Sequence, residues 1–195
     1  MELDYKIILW VITFCMAIWG YLIYIRDMLK WKTKPHLFSW LVFSILWIIS
    51  FLIQHNDWAG PWAWWALWAT LITFVITLLA FKYGSKDITK SDTISFILAL
   101  ISVVFYIVIP DPTYSLLLVM LILALALYPT FRKSWYKSTE ETFITYVLVW
   151  IRYFLSIFAI SHFSFLTLAY PIYLLIINVS LLSLLIIRKK TLNIK

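Results

Sequence analysis

The chain has 195 residues, of which 64% are hydrophobic, 13% are charged and only three are glycine. An apolar share so far above the usual half excludes a soluble domain built around one buried core. The net charge of +7 does not point to nucleic acid, because the basic residues form no continuous patch and instead alternate with apolar runs, as in a polytopic membrane protein.

The N-terminal stretch M-E-L-D-Y-K is net acidic and lacks the basic region of a cleaved signal peptide, so the first apolar segment is expected to be retained. Cys15 lies within that segment and is the sole cysteine, which leaves no intramolecular disulfide to form. Seven apolar segments follow one another: 7–25, 37–53, 61–81, 93–109, 114–131, 143–161 and 163–187. Each approaches the roughly 20 residues that a helix needs to cross a bilayer core. Pro35 suits the first turn of the second segment, where its missing N–H costs nothing. Trp58, Trp62, Trp64, Trp65 and Trp68 gather at one end of the third, as indoles do in the headgroup layer. Thr89 with Asp92 predicts a capping box opening the fourth segment, and Ser138 with Glu141 predicts one opening the sixth. Pro110-Asp111-Pro112 forces a break between the fourth and fifth.

Lys and Arg fall on alternate connections. One side carries Arg26, Lys30, Lys32 and Lys34, then Lys82, Lys86 and Lys90, then Arg132, Lys133 and Lys137, and finally Arg188, Lys189, Lys190 and Lys195. The other side carries only Lys6. Under the positive-inside rule this asymmetry predicts seven transmembrane helices with the N-terminus outside and the C-terminus cytoplasmic, in the cell (inner) membrane.

A weak duplication runs through the pattern. Tyr24 and Trp31 are seven apart, as are Tyr128 and Trp135; Trp47-Ile48 precedes Phe51-Leu52 as Trp150-Ile151 precedes Phe154-Leu155. These pairs occupy equivalent places in two sets of three segments. Residues 1–83 are therefore expected to form a first three-helix unit, 84–110 an inverting linker helix, and 111–195 a second unit of the same polarity. This 3+1+3 parallel repeat is similar to the PQ-loop/SWEET superfamily of small-solute carriers. The chain also resembles a group of bacterial seven-span proteins of similar size, through Y-I-R-D-M-L-K-W-K-T-K-P-H-L-F-S-W, K-D-I-T-K-S-D, P-T-F-R-K-S and Y-P-I-Y-L-L-I-I-N. The resemblance implies an all-α integral membrane protein in which a Trp and an Asn of each unit's third helix frame a solute. Here the first unit offers Trp62 and the second Asn178. The PQ dipeptide is absent, and Ile23 stands where a helix-loosening proline is expected.

Arg152, near the middle of the sixth segment, carries the strongest single signal. An Arg at a helix centre costs roughly 2.5–3.5 kcal/mol on insertion scales, so it is expected to face protein or water. It serves either as an anion or carboxylate contact, or as a structural tie to backbone carbonyls or Asn178, with its charge snorkelling outward. No acidic residue lies within any of the seven segments. Polar stripes at helical spacing follow: Trp62, Thr70, Thr73 and Thr77; Ser39, Ser50 and Gln54; Thr167, Pro171 and Asn178; and Ser95, Ser102 and Tyr106. Such stripes line a solute route or bond helices together, and spacing alone does not choose between these roles. His55, Asp57, Asp111 and His162 read as ordinary loop polarity and His36 as an interfacial residue, so neither metal nor cofactor is expected.

No glycine-rich phosphate loop, H-E-x-x-H or G-x-S-x-G occurs, and no paired titratable groups share one depth, so enzymatic chemistry is not expected. The expected function is facilitated movement of a small polar solute by alternating access, with Trp62, Thr73, Thr77, Arg152 and Asn178 as candidate solute-binding residues. The alternative is a non-transporting seven-helix scaffold or sensor. Expected partners are the lipid bilayer and the solute, with nucleic acid excluded and self-association left open.

Overall fold

The computed structural model describes residues 5–56, 61–109, 111–158, 160 and 163–191, without side-chain detail at 10, 50, 52–56, 61–66 and 112. Among the described residues the chain is all helical. The seven α-helices are α1 (Tyr5–Leu29), α2 (Leu37–Asn56), α3 (Pro61–Tyr83), α4 (Lys90–Val108), α5 (Pro112–Tyr136), α6 (Phe143–Phe158) and α7 (Phe165–Thr191), with a 3-10 turn at Ser138–Glu140. Four helical stretches are long and apolar enough to cross a membrane: Tyr5–Leu29, Lys90–Val108, Thr113–Tyr136 and Phe165–Thr191. Leu37–Ile49, Leu67–Tyr83 and Phe143–Phe158 are shorter apolar stretches. Large apolar side chains are widely exposed, among them Val104, Ile107 and Val108 on α4 and Trp68 on α3. Apolar helices showing such surfaces suit a lipid solvent, where every backbone polar group is satisfied within its own helix.

The helices fall into two compact units. A terminal unit joins Met1–Thr33 to Ser134–Lys195 and so holds α1, α6 and α7; a central unit, Lys34–Lys133, holds α2, α3, α4 and most of α5.

In the terminal unit α6 runs antiparallel to α1. Thr142 Oγ1 lies 3.5 Å from Asp27 Oδ2, and one turn further Thr145 Oγ1 donates to the Gly20 carbonyl at 3.3 Å. Gly20 is where the two helices meet: a Cβ built there would find Leu148 Cδ1 at 3.8 Å, an ordinary contact. Lys189, near the end of α7, sits 5.6 Å from the ring centre of Phe143, at the start of α6. The basic ends of α1 and α7 thus gather at the end of the unit where α6 begins. Arg188 strengthens that end, with Nε donating to the Trp135 carbonyl at 2.6 Å and its guanidinium 4.7 Å from the indole. α1 closes on Trp31, whose φ of 60° is left-handed, and Trp31 N donates to Met28 O at 2.9 Å.

In the central unit α2 and α3 are antiparallel, held by Ser85 N donating to Pro35 O at 2.9 Å and by Ser44 Oγ 3.0 Å from Thr77 Oγ1. Phe38 of α2 stacks on Phe96 of α4 with ring centres 4.5 Å apart, beside a core of Val42, Ala99, Val103, Ile122 and Ala126. The two alanines let helix backbones approach closely, which is how apolar helices associate when lipid is the solvent. Gly84 is required by this packing. A Cβ there would lie 2.9 Å from Pro35 O and 2.2 Å from Ala80 O.

Two local expectations change. Pro35 lies before α2 rather than in its first turn, and its carbonyl ties down Ser85. Ser138 opens a 3-10 turn with its hydroxyl unpartnered, so no reciprocal box with Glu141 forms; Glu141 instead accepts from the Tyr146 hydroxyl at 2.8 Å. The Thr89–Asp92 box does open α4.

Candidate functional site: an arginine in an apolar helix and a buried charge cluster

Charged groups within the apolar helices occur in two contrasting settings. In the terminal unit Arg152 lies on the face of α6 that turns toward α1. It is one turn beyond Leu148 and two beyond Thr145, the residues that meet Gly20. The opposite face carries an aromatic ladder, Trp150–Phe154–Phe158, with ring centres 6.1 and 5.3 Å apart; Phe154 and Phe158 are exposed. α6 is the most amphipathic of the helices, and Arg152 belongs to its inner side. The guanidinium stacks 4.5 Å from the ring centre of Tyr153, and the hydroxyls of Tyr21 on α1 and Tyr170 on α7 lie close enough to feel its charge. None of the described acidic residues pairs with it.

The central unit holds the other setting. Asp92 is fully buried in the first turn of α4 and receives one edge of the Arg132 guanidinium on both oxygens, from Nε to Oδ1 and from Nη2 to Oδ2, each at 2.8 Å. Oδ2 also accepts from Thr89 N at 2.9 Å, and Thr89 Oγ1 accepts from Asp92 N at 3.3 Å, completing the capping box. Arg132 Nη2 reaches the Asp87 carbonyl at 2.7 Å, and Nη1 lies 3.8 Å from the Asp87 carboxylate. Beside this pair the His36 ring is fully buried, with Nε2 3.4 Å from Asp92 Oδ2 and no hydrogen bond at either ring nitrogen. Burial pushes the His36 imidazole down from 6.5 to about 4, and Lys133 and Arg132 push the same way, against the pull of the Asp92 carboxylate. Lys133 is almost wholly buried and donates Nζ to the Lys34 carbonyl. Buried charges on this scale persist only when paired and hydrogen bonded, and here they are.

The candidate solute-binding residues divide between the two units. Thr73 is buried on α3 and donates back to Ala69 O at 2.8 Å. Thr77, also buried, donates to Thr73 O at 2.8 Å and lies against Ser44. Asn178 is buried on α7, and its Nδ2 donates to Leu174 O at 2.8 Å. Each of these three groups bonds to its own helix one turn back. The Trp62 side chain lies outside the described residues, as do those of His55, Asp57 and His162. Asp111 caps α5 by accepting from Thr113 N and Tyr114 N at 2.8 and 3.0 Å.

Arg152 stands out in the sequence as a candidate, whereas the cluster around Asp92 does not. By spacing alone Arg132 reads as one more loop cation and His36, beside Pro35, as interfacial. The available signal was the capping box itself: a carboxylate at the first turn of an apolar helix needs a cation when that turn is buried. Tyr21 and Tyr170 carry no signal in the sequence, because aromatic residues are common throughout the chain.

No family model matches this chain, and no curated protein and no solved structure matches it.

Proposed function

We propose that this chain is a multi-pass membrane carrier that moves a small polar solute by alternating access, with Arg152 selecting the polarity of the solute. The observation that supports it most is an arginine on the inner face of an apolar helix, among tyrosine hydroxyls, with no described carboxylate to neutralise it. Placing such a charge in a span is costly, and the usual return is a pathway or a ligand contact. The basic helix ends of each unit are taken to face the cytoplasm, with the helices crossing an inner membrane. The PQ-loop/SWEET-like 3+1+3 repeat is part of the same proposal, as are Trp62, Thr73, Thr77 and Asn178 as further solute contacts.

Counterflow in proteoliposomes tests it. Preloaded vesicles are offered labelled sugars, amino acids and small carboxylates. At least one class exchanges in the parent, and Arg152→Gln slows that exchange about tenfold or more, the loss of one charge-assisted contact. Folded protein that exchanges none of the three classes refutes the carrier.

A second reading, a non-transporting scaffold or sensor, is favoured by one observation. Thr73, Thr77 and Asn178 all donate to carbonyls of their own helices, a bonding pattern that packing alone explains. The absence of counterflow in folded protein is its signature.

A further inference from the structure

The surroundings of Arg152 define a ligand more narrowly than "small and polar". The charge has no described counter-ion, yet the site is not an accident of the surface. α6 turns the residue inward, and the Gly20 contact brings α1 against the same face with Tyr21 one residue further on. Tyr153 lies against the guanidinium at 4.5 Å and holds it with a hydrogen bond of its own, a neutral partner that leaves the charge unbalanced. The other groups within electrostatic reach are the phenol hydroxyls of Tyr21 on α1 and Tyr170 on α7, which can donate hydrogen bonds but carry no charge. The net charge of the set is therefore one positive, and the group that completes it carries one negative charge.

Depth decides where that charge comes from. Phe143, which opens α6 beneath Lys189, marks the basic end of the unit. Arg152 is nine residues on, about 14 Å along the axis at 1.5 Å per residue. In a hydrocarbon core about 30 Å thick that is near the middle, beyond the ordinary reach of a lipid headgroup. A planar two-oxygen anion matches the guanidinium fork.

We propose that α1, α6 and α7 form a binding site for a small monocarboxylate, held on Arg152 with the hydroxyls of Tyr21, Tyr153 and Tyr170 around it. The proposal rests on the carrier reading for its physiological sense, but binding and flux are separate measurements. Binding without counterflow leaves the site standing and removes the carrier. Counterflow of a neutral solute that is unaffected by Arg152→Gln and by carboxylates leaves the carrier standing and removes the site.

The test is a thermal-midpoint titration of the purified full chain in detergent at constant ionic strength. Monocarboxylates from acetate to benzoate are compared with their amides, with succinate, with inorganic phosphate and with added phosphatidylglycerol. At least one monocarboxylate raises the midpoint in a saturable way, and its amide does not. Arg152→Gln weakens the apparent affinity about ten- to a hundredfold, the loss expected for a charge-assisted contact. If the Gln variant does not fold, Arg152→Lys serves: it keeps the charge, loses the fork and binds several-fold more weakly. The proposal is overturned if no monocarboxylate shifts the parent, if amides shift it equally, or if the Lys or Gln variant binds like the parent. A shift produced by phosphatidylglycerol or phosphate alone also overturns it.

Discussion

The two units treat a charge inside an apolar helix in opposite ways. In the central unit Asp92 has Arg132 on both oxygens, Thr89 at its helix start and His36 at its side, and Lys133 is spent on the Lys34 carbonyl. In the terminal unit Arg152 has tyrosines but no described carboxylate. A cluster that is complete within the protein ties α2, α4 and α5 together. A cation without a described carboxylate contributes little to folding, and in the proposed function a ligand completes it. On the proposed reading, the complete cluster is structural and the incomplete one binds a ligand.

The contrast breaks first at Asp92. Asp92→Asn removes the main partner of a buried ion pair and leaves Arg132 with Asp87 alone, a loss of about 3–5 kcal/mol in folding stability. Denaturant or thermal unfolding in detergent measures it, and a loss under 1 kcal/mol means that the cluster does not hold the central unit. The glycines sharpen the same comparison between units. Gly84→Ala drives a methyl into the Pro35 and Ala80 carbonyls and destabilises the central unit by about 2 kcal/mol or more.

A pH titration comes next. The folded His36 titrates near 4 against an ordinary 6.5, so between those values the unfolded chain binds more protons than the folded one. This contribution is therefore full above about pH 6.5 and is lost as the pH falls toward 4. His36→Gln removes that part of the pH dependence; an unchanged slope across pH 4–6.5 in the variant shows that His36 is not its source. The smallest effect is expected at Gly20→Ala, where the added methyl meets Leu148 at an ordinary distance. Alanine's better helix propensity then changes stability by less than about 1 kcal/mol in the favourable direction. A large loss there would mean that α1 and α6 pack more tightly than the 3.8 Å contact allows.

Much of this was legible in the chain before any coordinates. Apolar runs marked the helices, the Lys and Arg pattern marked the ends that gather in each unit, and Thr89 with Asp92 marked the start of α4. Arg152 stood out because a lone cation in an apolar run is rare. The grouping of α1 with α6 and α7 was not legible. Helices that are apolar on nearly every side present no stripe to say which face packs, so sequence order was the only guide. Arg132 was not legible as the partner of Asp92, because forty residues separate them and no local spacing joins the start of α4 to the end of α5. The hydroxyls of Thr73 and Thr77 looked like a lining because helical spacing records the face of a side chain but not the acceptor that it chooses.

The most direct measurement is the thermal midpoint of Arg152→Met beside the parent, each with and without a saturating monocarboxylate. Met keeps the length of the side chain and removes the uncompensated charge. The account predicts a higher midpoint than the parent without ligand and no shift when the carboxylate is added, while the parent does shift. A lower midpoint in the ligand-free Met variant, of the kind Asp92→Asn produces, would contradict it and make Arg152 a structural member of its unit.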